Sequence, residues 1–210
     1  ALLTNALANG ERIVAIEDTC ELQPQQREST GHIVHLEARQ RSTDGSGEIT
    51  LHDLLVTALR LRPDRIVVGE VRGAETLDML QAMNTGHDGC LTTVHANSPR
   101  DAVSRLEMLT LMAGMDLPSS AVRQQIVAAL DLIIQTSRMA DGSRKIVAIA
   151  AVTGIEDGEI QLHDLYRFRS DEVDGQGMIR GEFLPVNPQA AAVRATPIAT
   201  RPRIGRPRST

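Results

Sequence analysis

Residues 62–73 read Arg-Pro-Asp-Arg-Ile-Val-Val-Gly-Glu-Val-Arg-Gly, an apolar run that ends on a carboxylate, Glu70, with a guanidinium, Arg72, two positions later. A carboxylate delivered this way can orient or deprotonate a water, or hold Mg²⁺ through its hydration shell, beside a transferring phosphoryl group. Ile66, Val67 and Val68 are β-branched and form a short strand of the kind covered on both faces. Gly69 removes side-chain bulk before Glu70, so Glu70 emerges at the strand's carboxyl end, where open α/β sheets bind ligands. The competing reading is a surface turn whose Glu and Arg are solvated.

A second apolar segment, Arg12-Ile13-Val14-Ala15-Ile16, also ends on carboxylates, Glu17 and Asp18. If strand geometry persists through them, alternation sends Glu17 and Asp18 to opposite sides. A third cluster, from Ala82 to Ser98, carries Thr85-Gly86-His87 and then the apolar run Leu91 to Val94, which ends on His95.

These three clusters, in this order and at this spacing, resemble the Asp box, Walker B segment and His box of the type II/type IV secretion ATPases. Within that superfamily, Asp78 to Arg105 and Asp141-Gly142-Ser143-Arg144-Lys145 most resemble the CpaF/TadA branch, which powers tight-adherence (Flp) pilus assembly. The resemblance covers about residues 1 to 170. It implies an α/β fold: a RecA-like P-loop ATPase core with a mostly parallel sheet and flanking helices.

The resemblance also implies roles. Glu70 takes the place of the Walker B glutamate, and Glu17 competes with it or shares the work of positioning water and Mg²⁺, with ATP as the nucleotide. Salt bridging or helix capping is the structural alternative for Glu17. His95 senses the γ-phosphate and relays its loss to neighbouring subunits, while His87 positions His95 or touches the adjoining subunit. A satisfied core histidine is the alternative for each. Arg72 and Arg62 flank the strand as phosphate or inter-subunit contacts, because a guanidinium stays charged and binds bidentately; bridging to Asp64, Glu70 or Glu75 is the alternative. Arg100 and Arg105 pair more simply with Asp101 and Glu107 along one helix. A zinc site from His87, Cys90 and His95 lacks the second ligand pair such sites use, so no protein-ligated metal is expected there.

The sequence has no Gly-x-x-x-x-Gly-Lys-[Ser/Thr], and its only lysine is Lys145. The nest of backbone amides that cradles phosphates is therefore not encoded in these residues. Ala1 to Leu7 resembles the helix that follows the phosphate loop, which leads to the expectation of a C-terminal fragment that binds ATP weakly alone. The function implied is the C-terminal portion of an ATP-hydrolysing motor that drives pilin assembly or protein export. It would work as a homo-hexamer against an inner-membrane platform protein, cytoplasmic and peripheral to that membrane. The alternatives are a non-hydrolytic interaction module, or truncated gene product, and a conjugative transfer ATPase of the same superfamily.

Composition narrows the partners. Aromatics make up 1% of the 210 residues and Trp is absent, which argues against a base-stacking platform for nucleic acid. The formal charge of −5 offers no general attraction to DNA or anionic lipid. No apolar run approaches the roughly 20 residues of a spanning helix. Cys20 and Cys90 are too few for a disulfide framework and are read as reduced thiols.

The elements that must position these groups alternate as a parallel α/β sheet requires. The pattern predicts a helix over Ala1 to Ala8, strands at Arg12 to Ile16 and His32 to Glu37, and a polar loop from Ala38 to Glu48. It then predicts a helix capped by Thr50, with Leu51, Leu54, Leu55, Ala58 and Leu59 inward, the Glu70 strand, and a helix from Ala74 to Met83. A strand over Cys90 to Val94 follows, then a helix with Ser98 as its cap and Pro99 at its first position. After a helix to Leu130 come strands at Leu132 to Thr136, Lys145 to Val152 and Glu159 to Phe168, turning at Asp141-Gly142 and Asp157-Gly158. Residues 1–185 are read as one ATPase domain portion. Residues 186–210, rich in Pro and Arg, are read as a disordered tail.

Overall fold

The computed structural model describes residues 11–22, 32–87 and 89–186. The helix expected at residues 1–8 and nearly all of the tail expected at 186–210 lie outside them.

Ile13–Glu17 forms strand β1, buried along its whole length. Its neighbours are β2 (Ile33–Glu37) on one side and β3 (Arg65–Val68) on the other, with β4 (Leu91–Thr92) beyond β3. All three pairings are parallel: Ala15 lies opposite His35 and Val67, and Val68 lies opposite Thr92. The middle strands are apolar runs without alternation, as strands covered on both faces are.

Helix α1 (Leu51–Arg60) connects β2 to β3 and buries Leu51, Leu54, Leu55 and Ala58, the spacing of one helical face. Leu59, expected inward, is instead part-exposed at 37%, because it falls one position past Ala58 and so about 100° around the helix. Thr50 and Asp53 form a reciprocal capping box at its start. Its end is a left-handed residue followed by proline: Arg62 has φ 52°, and Pro63 cannot continue the helix. Arg12 Nε donates to the Leu61 carbonyl at 2.8 Å, and the Arg12 amide donates to Asp64 Oδ2 at 2.8 Å. The turn into β3 is thereby pinned to the start of β1.

Helices α2 (Glu75–Asn84), α3 (Pro99–Leu111) and α4 (Ser119–Ala129) complete this part. Ser98 caps α3 through the Asp101 amide, with Pro99 at the first position as expected. Val14, Ile16, Leu55, Ile66, Val68, Leu80, Leu106, Val122 and Ile126 share one core cluster. Each such side chain contributes about 1.5–3 kcal/mol by leaving water. The cluster contains no aromatic ring; branched aliphatic side chains close it.

A second four-stranded sheet has the order β5 (Leu132–Arg138), β6 (Arg144–Glu156), β7 (Glu159–Val173) and β8 (Ile179–Pro185). The turn between β6 and β7 is two residues, Asp157 (φ 50°) and Gly158 (φ 79°), the backbone of a type I′ hairpin. Strands β7 and β8 pair antiparallel, Phe168 opposite Phe183. The expectation of a mostly parallel sheet therefore holds for β1–β4 alone, because hairpin turns of two to a few residues join only antiparallel strands. Strand β8, set off by the Asp174–Gly177 turn, was not anticipated.

The chain divides into two compact units. Among the described residues, one takes those up to Ile133 together with Val152–Leu162; the other takes Ile134–Ala151 and those from His163. Tyr166, Phe168 and Phe183 are the protein's only aromatic residues and all belong to the second unit. There Tyr166 stacks on Phe183 at 5.3 Å, and Lys145 sits 5.6 Å over Phe168.

Candidate functional site

Because β1–β4 are parallel, their carboxyl ends share one edge. Glu37, Glu17, Glu70 and His95 follow or end β2, β1, β3 and β4 in turn, and so gather there from sequence-distant segments. Arg72 lies on the same side, two residues past Glu70.

Glu17 is the buried member, 5% exposed. Its Oε1 accepts from the amides of Glu21 at 3.1 Å and Leu22 at 2.8 Å, and Oε2 faces His35 Nδ1 at 4.0 Å. A buried carboxylate must be compensated in this way or it is costly. One oxygen thus closes the loop after β1, and the other remains for chemistry. The room for this side chain is made by Gly69: a Cβ there would lie 3.1 Å from Glu17 Cγ. The Gly69 amide donates to the Ile16 carbonyl at 2.8 Å, continuing the ladder between β1 and β3. Gly69 therefore serves Glu17 as well as Glu70.

Glu70 is half-buried, and its Oε1 lies 3.3 Å from His95 Nε2. The segments that carry them are tied together twice: Val71 donates its amide to the Thr93 carbonyl at 3.0 Å, and the Thr93 hydroxyl donates to the Gly69 carbonyl at 2.7 Å. Two hydrogen bonds on one short stretch hold the carboxylate and the imidazole in ion-pair contact. The His95 side chain is 83% exposed, which leaves it open to a ligand.

Arg72 is ion-paired with Asp18, which stands just past the end of β1. Both side chains are largely open to solvent, 60% and 38% exposed. Such a pair is worth about 0–1 kcal/mol, so an incoming polyanion can take the guanidinium. The loop that presents it is held by Glu75, whose Oε1 accepts from the amides of Arg72 at 2.7 Å and Gly73 at 2.8 Å. This carboxylate also suits the amino end of α2.

Arg62 and His87 are not brought to this edge. Arg62 precedes β3 and Glu70 follows it, and a four-residue strand alone separates them by about 13 Å. His87 precedes β4, with its Nδ1 3.3 Å from the Ala82 carbonyl oxygen, and its own carbonyl accepts from the Cys90 thiol at 3.0 Å. His87 and His95 therefore lie on opposite sides of β4. Among the described residues, Arg65 also marks this amino edge, bound to Glu11 at 2.9 and 3.1 Å and to the Gly89 carbonyl at 3.0 Å.

Of the residues expected to pair along α3, Arg100 and Glu107 bond to other elements instead. Arg100 donates to the Ile160 carbonyl at 2.8 Å, and Glu107 accepts from Arg123 at 3.0 Å.

Thr93 was not singled out by chemistry-bearing spacing; Asp18 was named only as the neighbour of Glu17 and Glu75 only as a bridging partner of Arg72, although its place three residues after Arg72 also signals capping. Cys20 and His35 were also missed. Cys20 is an exposed free thiol, pushed above its ordinary range by partial desolvation and by the charges of Glu17 and Glu37.

The edge supplies carboxylate oxygens from Glu70 and from Glu17 Oε2, the hard donors Mg²⁺ takes, usually through water. It also supplies an imidazole and a releasable guanidinium.

Residues 1–166 match the family model described as type II/IV secretion system protein. A Mycobacterium tuberculosis protein named for conjugal transfer is 41% identical over 186 residues, covering 81% of this chain and 51% of that protein. Conjugal transfer protein TrbB of Rhizobium radiobacter is 34% identical over 164 residues, covering 78% and 46%. Among solved structures, the VirB11 ATPase of the Brucella suis type IV secretion system, in complex with sulphate, superposes with a TM-score of 0.60 at 27% identity. That match covers 71% of this chain and 44% of that one. The chain spans about half the length of the curated relatives it matches.

Proposed function

This chain belongs to the type II/IV secretion system protein family, and from that membership we propose that it carries the water- and metal-facing half of the nucleotide site of a secretion-machine ATPase. The observation that supports this reading is the contact of Glu70 with His95 at 3.3 Å, beside Glu17, at the carboxyl edge of a parallel sheet. Glu70 orients or deprotonates the attacking water. His95 exchanges a proton with Glu70 or reports the γ-phosphate. Arg72, released from Asp18, offsets charge on the phosphates. Mg²⁺, held through Glu70 and Glu17, would neutralise phosphate charge when bound.

The architecture in this reading is a RecA-like core. The protein works as a homo-hexamer in the cytoplasm, against an inner-membrane platform protein, and spends ATP on pilin assembly in the manner of the CpaF/TadA branch. Arg62 and His87, at the far edge of the sheet, then serve as inter-subunit contacts. Among the described residues no helix is long and apolar enough to cross a membrane. A second reading, a conjugative transfer ATPase, is favoured by the relatives named for conjugal transfer.

The test is Glu70→Gln in an ATP-hydrolysing protein that contains this chain. Phosphate release falls at least ~100-fold while nucleotide binding persists; unchanged turnover removes Glu70 from the mechanism. In the source organism, the same variant separates the two machines by abolishing either surface pili or plasmid transfer.

A further inference from the structure

Beside the Glu70–His95 pair, a second group of side chains meets on β1 and β2. Strand register places Glu17 opposite Glu37 and Ala15 opposite His35, so Glu17, His35 and Glu37 share one face of the sheet. The loop after β1 brings Cys20 over that face, where its amide donates to Glu37 Oε1 at 3.3 Å. A carboxylate oxygen of Glu17, the Cys20 sulfur and a ring nitrogen of His35 all lie within 4.8 Å of one another.

We propose that Glu17, Cys20 and His35 form a transition-metal site that takes Zn²⁺. The donor set is thiolate, imidazole and carboxylate, each a normal zinc ligand, and three protein ligands with an open fourth position are usual for a zinc that keeps a water. A soft sulfur donor selects against Mg²⁺ and Ca²⁺. Tetrahedral bonds of zinc's usual lengths put ligand atoms about 3.5 Å apart. Glu17 Oε2 and His35 Nδ1 already stand at 4.0 Å, so the remaining closure falls to Cys20, an exposed residue on a loop.

The surroundings are those of a supported site. Glu17 Oε1 is held by the amides of Glu21 and Leu22, which leaves Oε2 aimed at His35. Glu37 holds the backbone of Cys20. Partners of this kind orient metal ligands. A cation here also offsets two neighbouring carboxylates. The site stands on these contacts alone; it draws on the same Glu17 Oε2 that the ATPase reading gives to Mg²⁺, so Zn²⁺ bound here competes with Mg²⁺ for that oxygen.

Co²⁺ is the probe, because its bond to a thiolate gives a charge-transfer absorption. Titrated into the 210-residue chain, Co²⁺ produces that band with one equivalent bound. Zn²⁺ displaces it, and excess Mg²⁺ does not. Cys20→Ser abolishes the band, His35→Gln weakens Co²⁺ binding by tenfold or more, and Cys90→Ser leaves it intact. Both ligand variants change exposed side chains, and unaltered circular dichroism verifies their folding. Absence of the band in the parent chain, its survival in Cys20→Ser, or its loss in Cys90→Ser overturns the proposal. Zn²⁺ competition against a chromophoric chelator gives the same decision without a spectroscopic metal: equal competition by the parent and Cys20→Ser overturns it.

Discussion

The Glu70 carboxylate and the His95 imidazole meet at 3.3 Å although 25 positions separate them in sequence, because parallel β3 and β4 end at the same edge. Thr93 locks the two segments by bonding Gly69. His95 is mostly solvent-exposed, so its value to folding is small. His95→Ala is expected to change unfolding free energy by no more than ~0.5 kcal/mol, yet, under the proposed function, to lower ATP hydrolysis by a protein containing this chain at least ~10²-fold. Denaturant unfolding and phosphate release measure the two. Equal activity in the variant would sink the role given to His95.

Gly69→Ala isolates the space that Glu17 needs. Gly69 does not sit in the left-handed region, so the added Cβ gains about 0.4–1 kcal/mol by restricting the unfolded chain. Against that, it meets Glu17 Cγ at 3.1 Å, and overpacking costs about 1–3 kcal/mol. Net destabilisation is expected, and it should shrink when Glu17→Ala is combined with it. Additive losses in that double-mutant cycle would show that the two residues do not compete for space.

His52 Nδ1 lies 2.7 Å from Asp78 Oδ2. That hydrogen bond, and then the Asp78 charge, raise the imidazole above its ordinary 6.5. A raised value in the folded state means that folding favours the charged imidazole. The contribution is therefore complete below pH 6.5 and is lost as pH climbs through the folded value. Both groups are partly exposed, so the effect is no more than about 1 kcal/mol. His52→Gln should lower the melting temperature at pH 5.5 and leave it nearly unchanged at pH 8.5; a larger drop at high pH would contradict the assignment.

Asp141 behaves with the opposite sign. The Ser143 hydroxyl, the Ile179 amide at 2.6 Å and the Ser143 amide hold it down from 3.8 to about 2. Its contribution is present above about pH 4 and disappears as pH falls toward 2. Asp141→Asn should speed hydrogen exchange at the Ile179 amide at neutral pH, and this difference from the parent should vanish near pH 2. Unaltered exchange at pH 7 would mean that Asp141 does not hold β8.

Much of this organisation is a local property of the chain. Ile66-Val67-Val68 before Gly69-Glu70 makes a buried strand ending on a carboxylate in any context that covers both faces. Thr50 with Asp53, Ser98 with Pro99, and Asp157-Gly158 set caps and a hairpin through groups one to three residues apart. The aliphatic composition required a core without rings, and that is the core observed. These features depend on backbone preferences and on contacts that close within a single turn or strand.

Contacts between segments distant in sequence were decided only by the tertiary structure. Parallel pairing put Glu17, Glu70 and His95 on one edge, a grouping the family resemblance implied, but sent Arg62 and His87 to the other, which no spacing along the chain reveals. Asp18 engages Arg72 and Glu17 presses on Gly69 because β1 lies directly beside β3. Cys20 meets His35 because β1 also lies beside β2, and the loop after β1 folds back onto their shared face. Residue types thus determined which chemistry was available, while strand order and register, set by burial of the whole core, determined which of those groups can act together.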